Sequence, residues 1–596
     1  MQEQIDVQSI VTDLFGMATK ATEQFTLITE RLNSRKSSED DPAATVMSDF
    51  NSAFMEFSEK LFQNPHVLIE GQMALMQGQM ALWQHTALKF TGQTSEDVIK
   101  PDSSDRRFTD EDWSNDLIFN YLKQFYLLQS KAIKDVVEGV GGLSTHTQNK
   151  VDFLMRQFVN ALSPSNFAST NPEVVRKTFE TGGQNLVEGM EQLAKDMKES
   201  YGGLNVTMSD MDAFKIGRNV ATTQGDVIYE NDLIQLIQYA PSTQKTFKRP
   251  LLVIPPFINK YYILDLREKN SFLKWLVDQG HTVFCISWNN PGPSMRGKGF
   301  DDYMLEGPLA ALDAIKTATG ESDINAIGYC LGGTLLAATT AYMKKKNDNR
   351  IKSTTYLATL IDFEDPGEIG IFINETAISA LEKQMDSLGY YDGRMMAFSF
   401  NLLKENDLFW SFFVNNYLKG QRPVAFDLLY WNTDGTNLPA KMHSFYLRNM
   451  YLYNKLKDKN GITLNNEEID LTAVDTPSYF LSAAQDHIAK WTSTYSGAKL
   501  FKGNVKFVLG GSGHIAGVVN PPSSKKYGYW TNSELPNDAQ EWFNHAQKNE
   551  GSWWTDWQQW SEQYTDGKVP SRKCLKSIEP APGRYAKKRI IDVINE

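Results

Sequence analysis

A short glycine-rich turn between a predicted strand and a predicted helix constrains the fold of this chain more than any other feature. The turn is Gly328-Tyr-Cys330-Leu-Gly332, placed between the apolar run 324–327 and the small-residue stretch 334–343. In a Gly-x-nucleophile-x-Gly turn the glycines let the backbone approach closely, and the central side chain is held above the sheet. The sequence therefore predicts that Cys330 is a nucleophile; the alternative is a buried structural cysteine beside a tight turn.

Two later predicted strands are followed by the acid and the base that such a nucleophile needs. Asp486 comes just after the apolar run 477–482, and His514 follows the run 505–509 in the loop Gly-Gly-Ser-Gly-His. The chain order nucleophile, acid, histidine is that of the α/β-hydrolase fold. We therefore predict that Cys330, Asp486 and His514 form a catalytic triad.

One alternative acid and one alternative base stay open at this point. Asp362 follows the predicted strand 354–361, and some hydrolases take their carboxylate from an earlier strand; its other interpretation is a helix cap or a solvated turn. His487 competes with His514 as the base, but it is adjacent to Asp486 and is expected to point away from the side that this carboxylate faces.

Further apolar runs upstream predict a mainly parallel sheet that is covered by helices on both faces. These runs are 250–254 and 282–288, and both are continuous rather than alternating. The backbone N–H of Leu331 would stand at the start of the helix after the turn, where it can face a developing oxyanion. The loop after residue 254 has the position that donates the second N–H in this fold, and we assign that donor to Phe257 or Ile258, with Ile258 preferred.

The chain is long enough for more than one structural unit. We predict an N-terminal all-helical domain over residues 1–210 and a catalytic α/β-hydrolase domain over residues 211–596. The connection between the strands predicted near residues 361 and 477 is far longer than an ordinary loop. We interpret it as a helical cap insertion over about residues 363–470, because the stretch 395–431 carries aromatic and aliphatic residues at helical spacing.

The N-terminal region contains an amphipathic helix, predicted over Ile5–Leu32, and then a short internal repeat. The sequence Gly71-Gln-Met-Ala-Leu-Met-Gln returns seven residues later as Gly78-Gln-Met-Ala-Leu-Trp-Gln. Seven residues make two helical turns, so the copies share one helix face. The resulting apolar stripe packs against a neighbouring helix or offers an adaptable surface to a partner protein, a polymer granule or another subunit; its residues are Met73, Met76, Met80 and Trp83.

Composition excludes several other classes of function. The 72 acidic and 60 basic residues give a net charge of −12, so nucleic-acid binding has no electrostatic support. The three cysteines, Cys285, Cys330 and Cys574, indicate a reducing cytoplasm rather than a disulfide framework. The sequence has no Cys/His cluster at metal-ligand spacing and no nucleotide-binding fingerprint, so neither a metal nor a cofactor is predicted. No stretch is apolar enough for a membrane span.

Long strings spread over nearly the whole chain resemble the class I polyhydroxyalkanoate synthases. The strings are G-Y-C-L-G-G at 328–333, P-P-F-I-N-K-Y-Y-I-L-D-L at 255–266, S-W-N-N-P-G at 287–292, A-A-Q-D-H-I-A at 483–489, G-S-G-H-I-A-G at 511–517, D-R-R-F at 105–108, A-L-S-P-S-N-F at 161–167 and G-S-W-W at 551–554. The resemblance implies that Cys330 is the acylated nucleophile, His514 its general base and Asp486 the third catalytic residue.

The same resemblance implies an acyltransferase that polymerises short-chain (R)-3-hydroxyacyl-CoA into polyester and releases CoA as a product. It also implies a cytoplasmic homodimer associated with the polyester granule, its growing chain and its coat proteins. Cysteine suits such chemistry, because exchanging one thioester for another keeps the acyl group activated for ester formation. Two other classes stay open: an acyl-CoA thioesterase that uses the same triad with water, and a noncatalytic granule-associated scaffold.

Overall fold

The computed structural model describes residues 42–200, 204–574 and 576–594. These residues form two compact units. The helical unit comprises the described residues up to Met208 together with Phe398–Val424, and the sheet unit comprises Ser209–Ala397 and the described residues from Ala425 onward. The segment Phe398–Val424, which belongs to the helical unit, lies inside the insertion predicted as a cap. The helix predicted over Ile5–Leu32 lies outside the described residues.

The helical unit is built from helices that differ in length and in how much of their surface is buried. Small clusters of buried side chains join them, among them one formed by Ala53, Phe57, Val67, Val137, Val140 and Val151. The helices before residue 209 are α1 Pro42–Gln63, α2 Pro65–Phe90, α3 Asp112–Asn115, α4 Leu117–Gly139, α5 Thr145–Ala161, α6 Pro172–Thr181 and α7 Gln184–Glu199.

The sheet unit is built on one large sheet, whose strands we number in chain order. The strands are β1 Gly225–Glu230, β2 Ile234–Tyr239, β3 Leu251–Ile254, β4 Val283–Trp288, β5 Ile324–Tyr329, β6 Ile351–Leu357, β7 Ser478–Ala483, β8 Val505–Gly510, β9 Tyr529–Thr531, β10 Gln547–Asn549 and β11 Glu579–Pro580. Their order across the sheet is β10-β9-β8-β7-β6-β5-β3-β4-β2-β1-β11.

The central strands β4, β3, β5, β6, β7 and β8 are parallel to one another, and antiparallel strands extend the sheet at both edges. The predicted mainly parallel sheet is thus confirmed. Because parallel strands end at the same edge, the loops after β3, β5, β7 and β8 emerge together, which is where open α/β sheets place their functional residues. Strands β3 to β8 each begin within three residues of the apolar run predicted for them, whereas the antiparallel strands β1, β2, β9, β10 and β11 were not predicted.

Helices cover both faces of the sheet. Alternate side chains of a strand pack on opposite faces of the sheet. In β3, Leu252 and Ile254 belong to one buried cluster, and Leu251 and Val253 belong to the other. The helices are α8 Phe272–Asp278, α9 Phe300–Met304, α10 Ala310–Thr319, α11 Leu331–Lys345, α12 Glu375–Leu388, α13 Gly393–Leu403 (which runs on into the helical unit), α14 Asp427–Asn432, α15 Ala440–Tyr446, α16 Trp491–Ala498, α17 Ala539–Asn544, α18 Trp553–Ser561 and α19 Ile590–Ile594.

Candidate active site

Cys330 occupies the turn between β5 and α11. Its φ of 52° and ψ of −122° lie in a region that residues other than glycine rarely adopt. The turn is fixed by hydrogen bonds, because the N–H of Cys330 donates to the Leu357 carbonyl at 2.9 Å and its own carbonyl accepts from the N–H of Gly333 at 2.9 Å. Backbone strain of this kind costs roughly 1–3 kcal/mol and persists mainly at functional sites.

The glycines around Cys330 are required by close packing. A Cβ on Gly328 would lie 2.5 Å from the Cα of Gly333, and a Cβ on Gly332 would lie 2.2 Å from the carbonyl oxygen of Ile254. A Cβ on Gly333 would lie 2.0 Å from Oγ1 of Thr359. No side chain fits at these distances, so the glycines bring the start of α11 against the loop after β3 and aim Cys330 at the edge of the sheet.

Asp486 and His514 lie in the loops after β7 and β8, which are parallel neighbours. Two backbone hydrogen bonds join these loops: Gln485 N–H to the Ser512 carbonyl at 2.9 Å, and Ala484 N–H to the Gly510 carbonyl at 2.8 Å. Nδ1 of His514 lies 2.6 Å from Oδ2 of Asp486. The structure therefore brings the predicted acid and the predicted base into direct contact.

The Asp486 carboxylate is fully buried and uses both oxygens. Oδ1 accepts the N–H groups of Ile488 at 2.9 Å and Ala489 at 2.8 Å, while Oδ2 contacts His514. An ionised carboxylate only accepts, so Nδ1 of His514 donates to it. Cys330 lies near the same imidazole, because its charge helps to raise the pKa of His514. The three predicted residues thus lie together, with His514 in contact with Asp486 and next to Cys330.

The surroundings of His514 favour its protonated form. Burial lowers the pKa of the imidazole, but the charges of Asp486 and Cys330 and the hydrogen bonds to both raise that pKa well above 6.5. A raised pKa makes His514 a stronger base towards the Cys330 thiol, and the resulting imidazolium is stabilised by the carboxylate behind it.

The alternative acid and base are placed elsewhere. Asp362 accepts from Nδ2 of Asn454 at 2.7 Å and from the N–H of Glu364 at 3.0 Å, and it forms an ion pair with Lys457 at 3.3 Å. These contacts give Asp362 the role of fixing a loop. His514 is the histidine whose imidazole contacts Oδ2 of Asp486. The backbone carbonyl of His487 accepts from the N–H of Glu368 at 3.2 Å.

The two residues predicted to donate N–H groups to an oxyanion are Leu331 and Ile258. Leu331 is the first residue of α11, so its N–H has no partner within the helix. Ile258 lies in the loop after β3. The start of this loop contacts Gly332, in the turn around Cys330. The Ile258 carbonyl accepts from the N–H of Thr436 at 3.2 Å, which ties this loop to the segment before α15. Leu331 thus directly follows Cys330, and Ile258 lies in the loop whose start contacts Gly332; their role as donors stays a prediction.

An aromatic cluster that was not predicted from the sequence lies near the Cys330 thiol. The rings of Phe363, Tyr446 and Tyr451 contact one another at centroid distances of 5.0–6.0 Å. Burial is the main cause that raises the pKa of Tyr451, and the charges of Cys330 and Asp486 add to it; Cys330 acts on Tyr446 in the same direction. Both tyrosines therefore lie close to the candidate nucleophile. Their only signal in the sequence was the aromatic content of the insertion.

The other two cysteines are buried or partly buried. Cys285 is buried inside β4, and Cys574 is partly buried near the C-terminus. Among the described residues, no group of three or more His, Cys, Asp or Glu side chains is arranged to hold a metal ion. None of the helices in the described ranges is long and apolar enough to cross a membrane.

A parallel sheet with a strained nucleophile turn, followed in chain order by an acid and a histidine that contact each other, defines a protein of the α/β-hydrolase class. Comparison with protein families agrees, because the model described as the alpha/beta hydrolase fold matches residues 250–521. A second model, described as the N-terminus of poly-beta-hydroxybutyrate polymerase (PhaC), matches residues 104–276.

Curated relatives extend this match over most of the chain. The poly(3-hydroxyalkanoate) polymerase of Methylorubrum extorquens is 45% identical over 91% of this chain and 91% of its own length. The PhaC subunits of the corresponding polymerases from Rhizobium meliloti and Cupriavidus necator are 44% and 40% identical, over 92% and 81% of this chain and 90% and 83% of their own lengths. The chain belongs to the poly(3-hydroxyalkanoate) polymerase family.

Proposed function

We propose that this protein polymerises (R)-3-hydroxyacyl-CoA of short chain length into polyester through a covalent thioester on Cys330, as a class I synthase and acyltransferase. The observation that carries the proposal is the contact of His514 with the buried Asp486 carboxylate, next to the strained Cys330. Family membership supports the polymer chemistry, and the geometry supports this choice of residues.

Acylation begins when the unprotonated nitrogen of His514 takes the proton of the Cys330 thiol. The thiolate attacks the thioester carbonyl, and the oxyanion is stabilised by the N–H groups of Leu331 and Ile258. When the carbonyl re-forms, the bond to the sulfur of CoA breaks and the imidazolium returns its proton to that sulfur. One thioester replaces another, so the acyl group stays activated.

Elongation transfers the acyl group to an alcohol. His514 removes the proton of a 3-hydroxyl, the alkoxide oxygen attacks the thioester carbonyl on Cys330, and the new ester leaves the thiolate to be protonated again. We assign Asp486 the role of orienting and polarising His514, because both of its oxygens are already engaged. The aromatic cluster of Phe363, Tyr446 and Tyr451 supports the exclusion of water that this step requires.

The proposal extends to the surroundings of the enzyme. We expect no cofactor, since CoA enters as part of the substrate and leaves as a product. We also expect a cytoplasmic homodimer at the surface of a polyester granule, with coat proteins as further partners. The support for this assembly is the likeness to polymerases that synthesise a water-insoluble polymer.

The product of the reaction tests the proposal. Purified protein incubated with (R)-3-hydroxybutyryl-CoA should release CoA and form insoluble polyester. Free 3-hydroxybutyrate in equal amount to the CoA released would instead make the protein a thioesterase. A scaffold would release no CoA, and its properties would be the same with Cys330→Ala. Cys574→Ser is the matched control, because it removes a thiol outside the site and should leave CoA release unchanged.

A further inference from the structure

The loop after β3, which carries the predicted second oxyanion donor, is held by a segment far along the chain. This segment is the connection between α14 and α15, residues 433–439, and we call it the α14–α15 loop. An isolated antiparallel bridge pairs Asn259 with Gly435. The next residue, Thr436, is fully buried. The α14–α15 loop therefore lies alongside the backbone around Ile258.

Thr436 makes two hydrogen bonds to that backbone. Its hydroxyl donates to the carbonyl of Phe257 at 2.7 Å, and its N–H donates to the carbonyl of Ile258 at 3.2 Å. These two carbonyls belong to the peptide units on either side of the Cα of Ile258. Because each peptide unit is rigid and planar, holding both carbonyls restricts both backbone dihedral angles of Ile258.

The hydroxyl of Thr436 also decides where the N–H of Ile258 points. This N–H and the Phe257 carbonyl belong to one peptide unit, and the peptide bond between them is trans. In a trans peptide unit the C=O and the N–H point in opposite directions. Since the carbonyl is directed at Thr436, the N–H points away from it. Within the ranges that the structure describes, this N–H has no hydrogen-bond partner, so it is available to an oxyanion.

Thr436 is itself held in place by its neighbours. The N–H of Asn437 donates to Oδ1 of Asn290 at 2.9 Å, and its Nδ2 donates to the carbonyl of Pro291 at 3.2 Å. The side-chain oxygen of Asn437 accepts from the N–H of Gly393 at 3.1 Å. A Cβ on Gly393 would lie 2.4 Å from the carbonyl oxygen of Thr436, so the packing there is close. The position of Thr436 is therefore fixed by the loop after β4 and by the start of α13.

Two tryptophans hold the loop after β3 on either side of this contact. Nε1 of Trp288 donates to the carbonyl of Pro255 at 2.9 Å, and Nε1 of Trp431 donates to the carbonyl of Lys260 at 2.7 Å. The Pro255 carbonyl also packs against the turn around the nucleophile, since a Cβ on Gly332 would lie 2.6 Å from its oxygen. The hydrogen bonds of the α14–α15 loop thus hold the middle of a loop whose ends are already fixed.

We propose that Thr436 is a positioning residue, whose hydroxyl aims the N–H of Ile258 at the oxyanion formed from the thioester carbonyl. The inference rests on the proposed acylation of Cys330. It selects Ile258 over Phe257 as the second donor, because the N–H of Ile258 shares the peptide unit that Thr436 holds. A donor that is held before the reaction stabilises the developing charge without reorganisation. The oxyanion hole then depends on a residue of the insertion.

Removing the hydroxyl of Thr436 tests the inference in the full-length protein. Thr436→Val keeps the volume but releases the Phe257 carbonyl. Acylation of Cys330 in the first turnover with (R)-3-hydroxybutyryl-CoA should be at least about tenfold slower, a part of the loss that follows removal of a whole oxyanion donor. The substrate concentration for half-maximal rate should stay unchanged, because the donor acts in the transition state. Thr436→Ser keeps the hydroxyl and should retain the parent rate to within about threefold.

Alkylation of Cys330 by iodoacetamide separates the oxyanion from the thiolate. The sulfur bonds to the CH2 carbon, the carbon–iodine bond breaks and iodide leaves, so no carbonyl oxygen takes up the charge. The alkylation rate, followed by mass spectrometry on the peptide that contains Cys330, should therefore be the same in the parent and in Thr436→Val. Equal losses of alkylation and acylation would show that the substitution acts on the thiol, and would overturn the inference.

Thr339→Val is the matched control. The Thr339 hydroxyl is also fully buried and donates to a backbone carbonyl, that of Leu335, at 2.7 Å. This variant should acylate Cys330 at the parent rate. Should thermal unfolding show that Thr436→Val is not folded, Thr436→Ala removes the same hydroxyl and carries the same expectation. Acylation at the parent rate without the Thr436 hydroxyl, or an equal loss in Thr339→Val, would overturn the positioning role alone. A parent protein that forms no acyl group on Cys330 would overturn the proposed function and this inference with it.

Discussion

His514 is held between a buried carboxylate and a thiol, and its proton transfers therefore control both halves of the proposed reaction. His514→Gln keeps a polar side chain of similar length but cannot act as a base, so CoA release should fall by at least about a hundredfold. His487→Gln changes the neighbour of Asp486 in the same way and should leave the rate close to the parent value. The initial rate of CoA release measures both. Equal losses in the two variants would contradict the assignment of His514.

Asp486 makes His514 a stronger base, and the two proposed steps need that strength to different degrees. A thiol gives up its proton far more readily than an aliphatic alcohol. Asp486→Asn should therefore slow elongation more than the first acylation, which a rapid-quench comparison of the first CoA released and the following turnovers would show. Asp362→Asn is the control and should leave the ratio of the two rates unchanged. Equal losses in both steps for Asp486→Asn would mean that the carboxylate only holds the ring.

Lys260 is a buried cation beside the proposed oxyanion loop. Its ammonium donates to the carbonyls of Tyr585 at 3.1 Å and Lys588 at 2.6 Å, so it ties this loop to the C-terminal segment. Burial lowers the pKa of Lys260 to about 8, against the partial compensation of Asp434. The unfolded chain therefore binds one more proton than the folded protein between pH 8 and about 10.5, and stability rises with pH in that window.

This linkage predicts a difference between the parent and Lys260→Met. The shift of the lysine pKa corresponds to a gain on the order of 3 kcal/mol for the parent from pH 8 to pH 10.5. Lys260→Met lacks this contribution. The free energy of unfolding of the parent should therefore increase relative to that of Lys260→Met as pH rises. Urea unfolding at several pH values measures it. A constant difference would show that the Lys260 ammonium is not desolvated.

The turn around Cys330, residues 328–333, is the element on which the site depends. Its glycines are the positions least able to accept a side chain. Gly333→Ala would place a methyl group 2.0 Å from Oγ1 of Thr359, so α11 and the segment that follows β6 would have to separate. We expect a loss of about 2–3 kcal/mol in the free energy of unfolding and a larger relative loss of activity. Gly297→Ala is the control, because a Cβ there meets nothing within 4 Å. Thermal unfolding with the same midpoint in both variants would contradict the claim that close packing excludes a side chain at Gly333.

At the scale of elements, the parts that were predictable are those encoded locally. The turn around Cys330 shows itself in six consecutive residues, and Asp486 and His514 each follow directly on a short apolar strand. The aromatic cluster was not predictable, because Phe363 reaches Tyr446 and Tyr451 only after the insertion has folded. The contact of Lys260 with Tyr585 spans 325 positions of sequence. No local sequence pattern encodes a contact over that separation.

For the whole molecule, the fold class could be predicted from two features of the sequence. Continuous apolar runs indicate the parallel strands, and Cys330, Asp486 and His514 follow one another in the chain order of the α/β-hydrolase fold. The division into compact units was harder to predict. Phe398–Val424 lies far along the sequence but belongs to the helical unit. Its membership depends on contacts such as that of Asn185 with the carbonyl of Leu418 at 2.7 Å, which leave no periodic pattern in the sequence.

The acyl group on Cys330 is the central claim, and trapping it tests that claim most directly. The full-length protein is mixed with (R)-3-hydroxybutyryl-CoA, quenched in acid within the first turnover and digested for mass spectrometry. We predict a hydroxybutyryl thioester on the peptide that contains Cys330, at a yield that follows the first CoA released, and none in Cys330→Ala. CoA released with no acyl group on Cys330, or the same release from Cys330→Ala, would contradict the account.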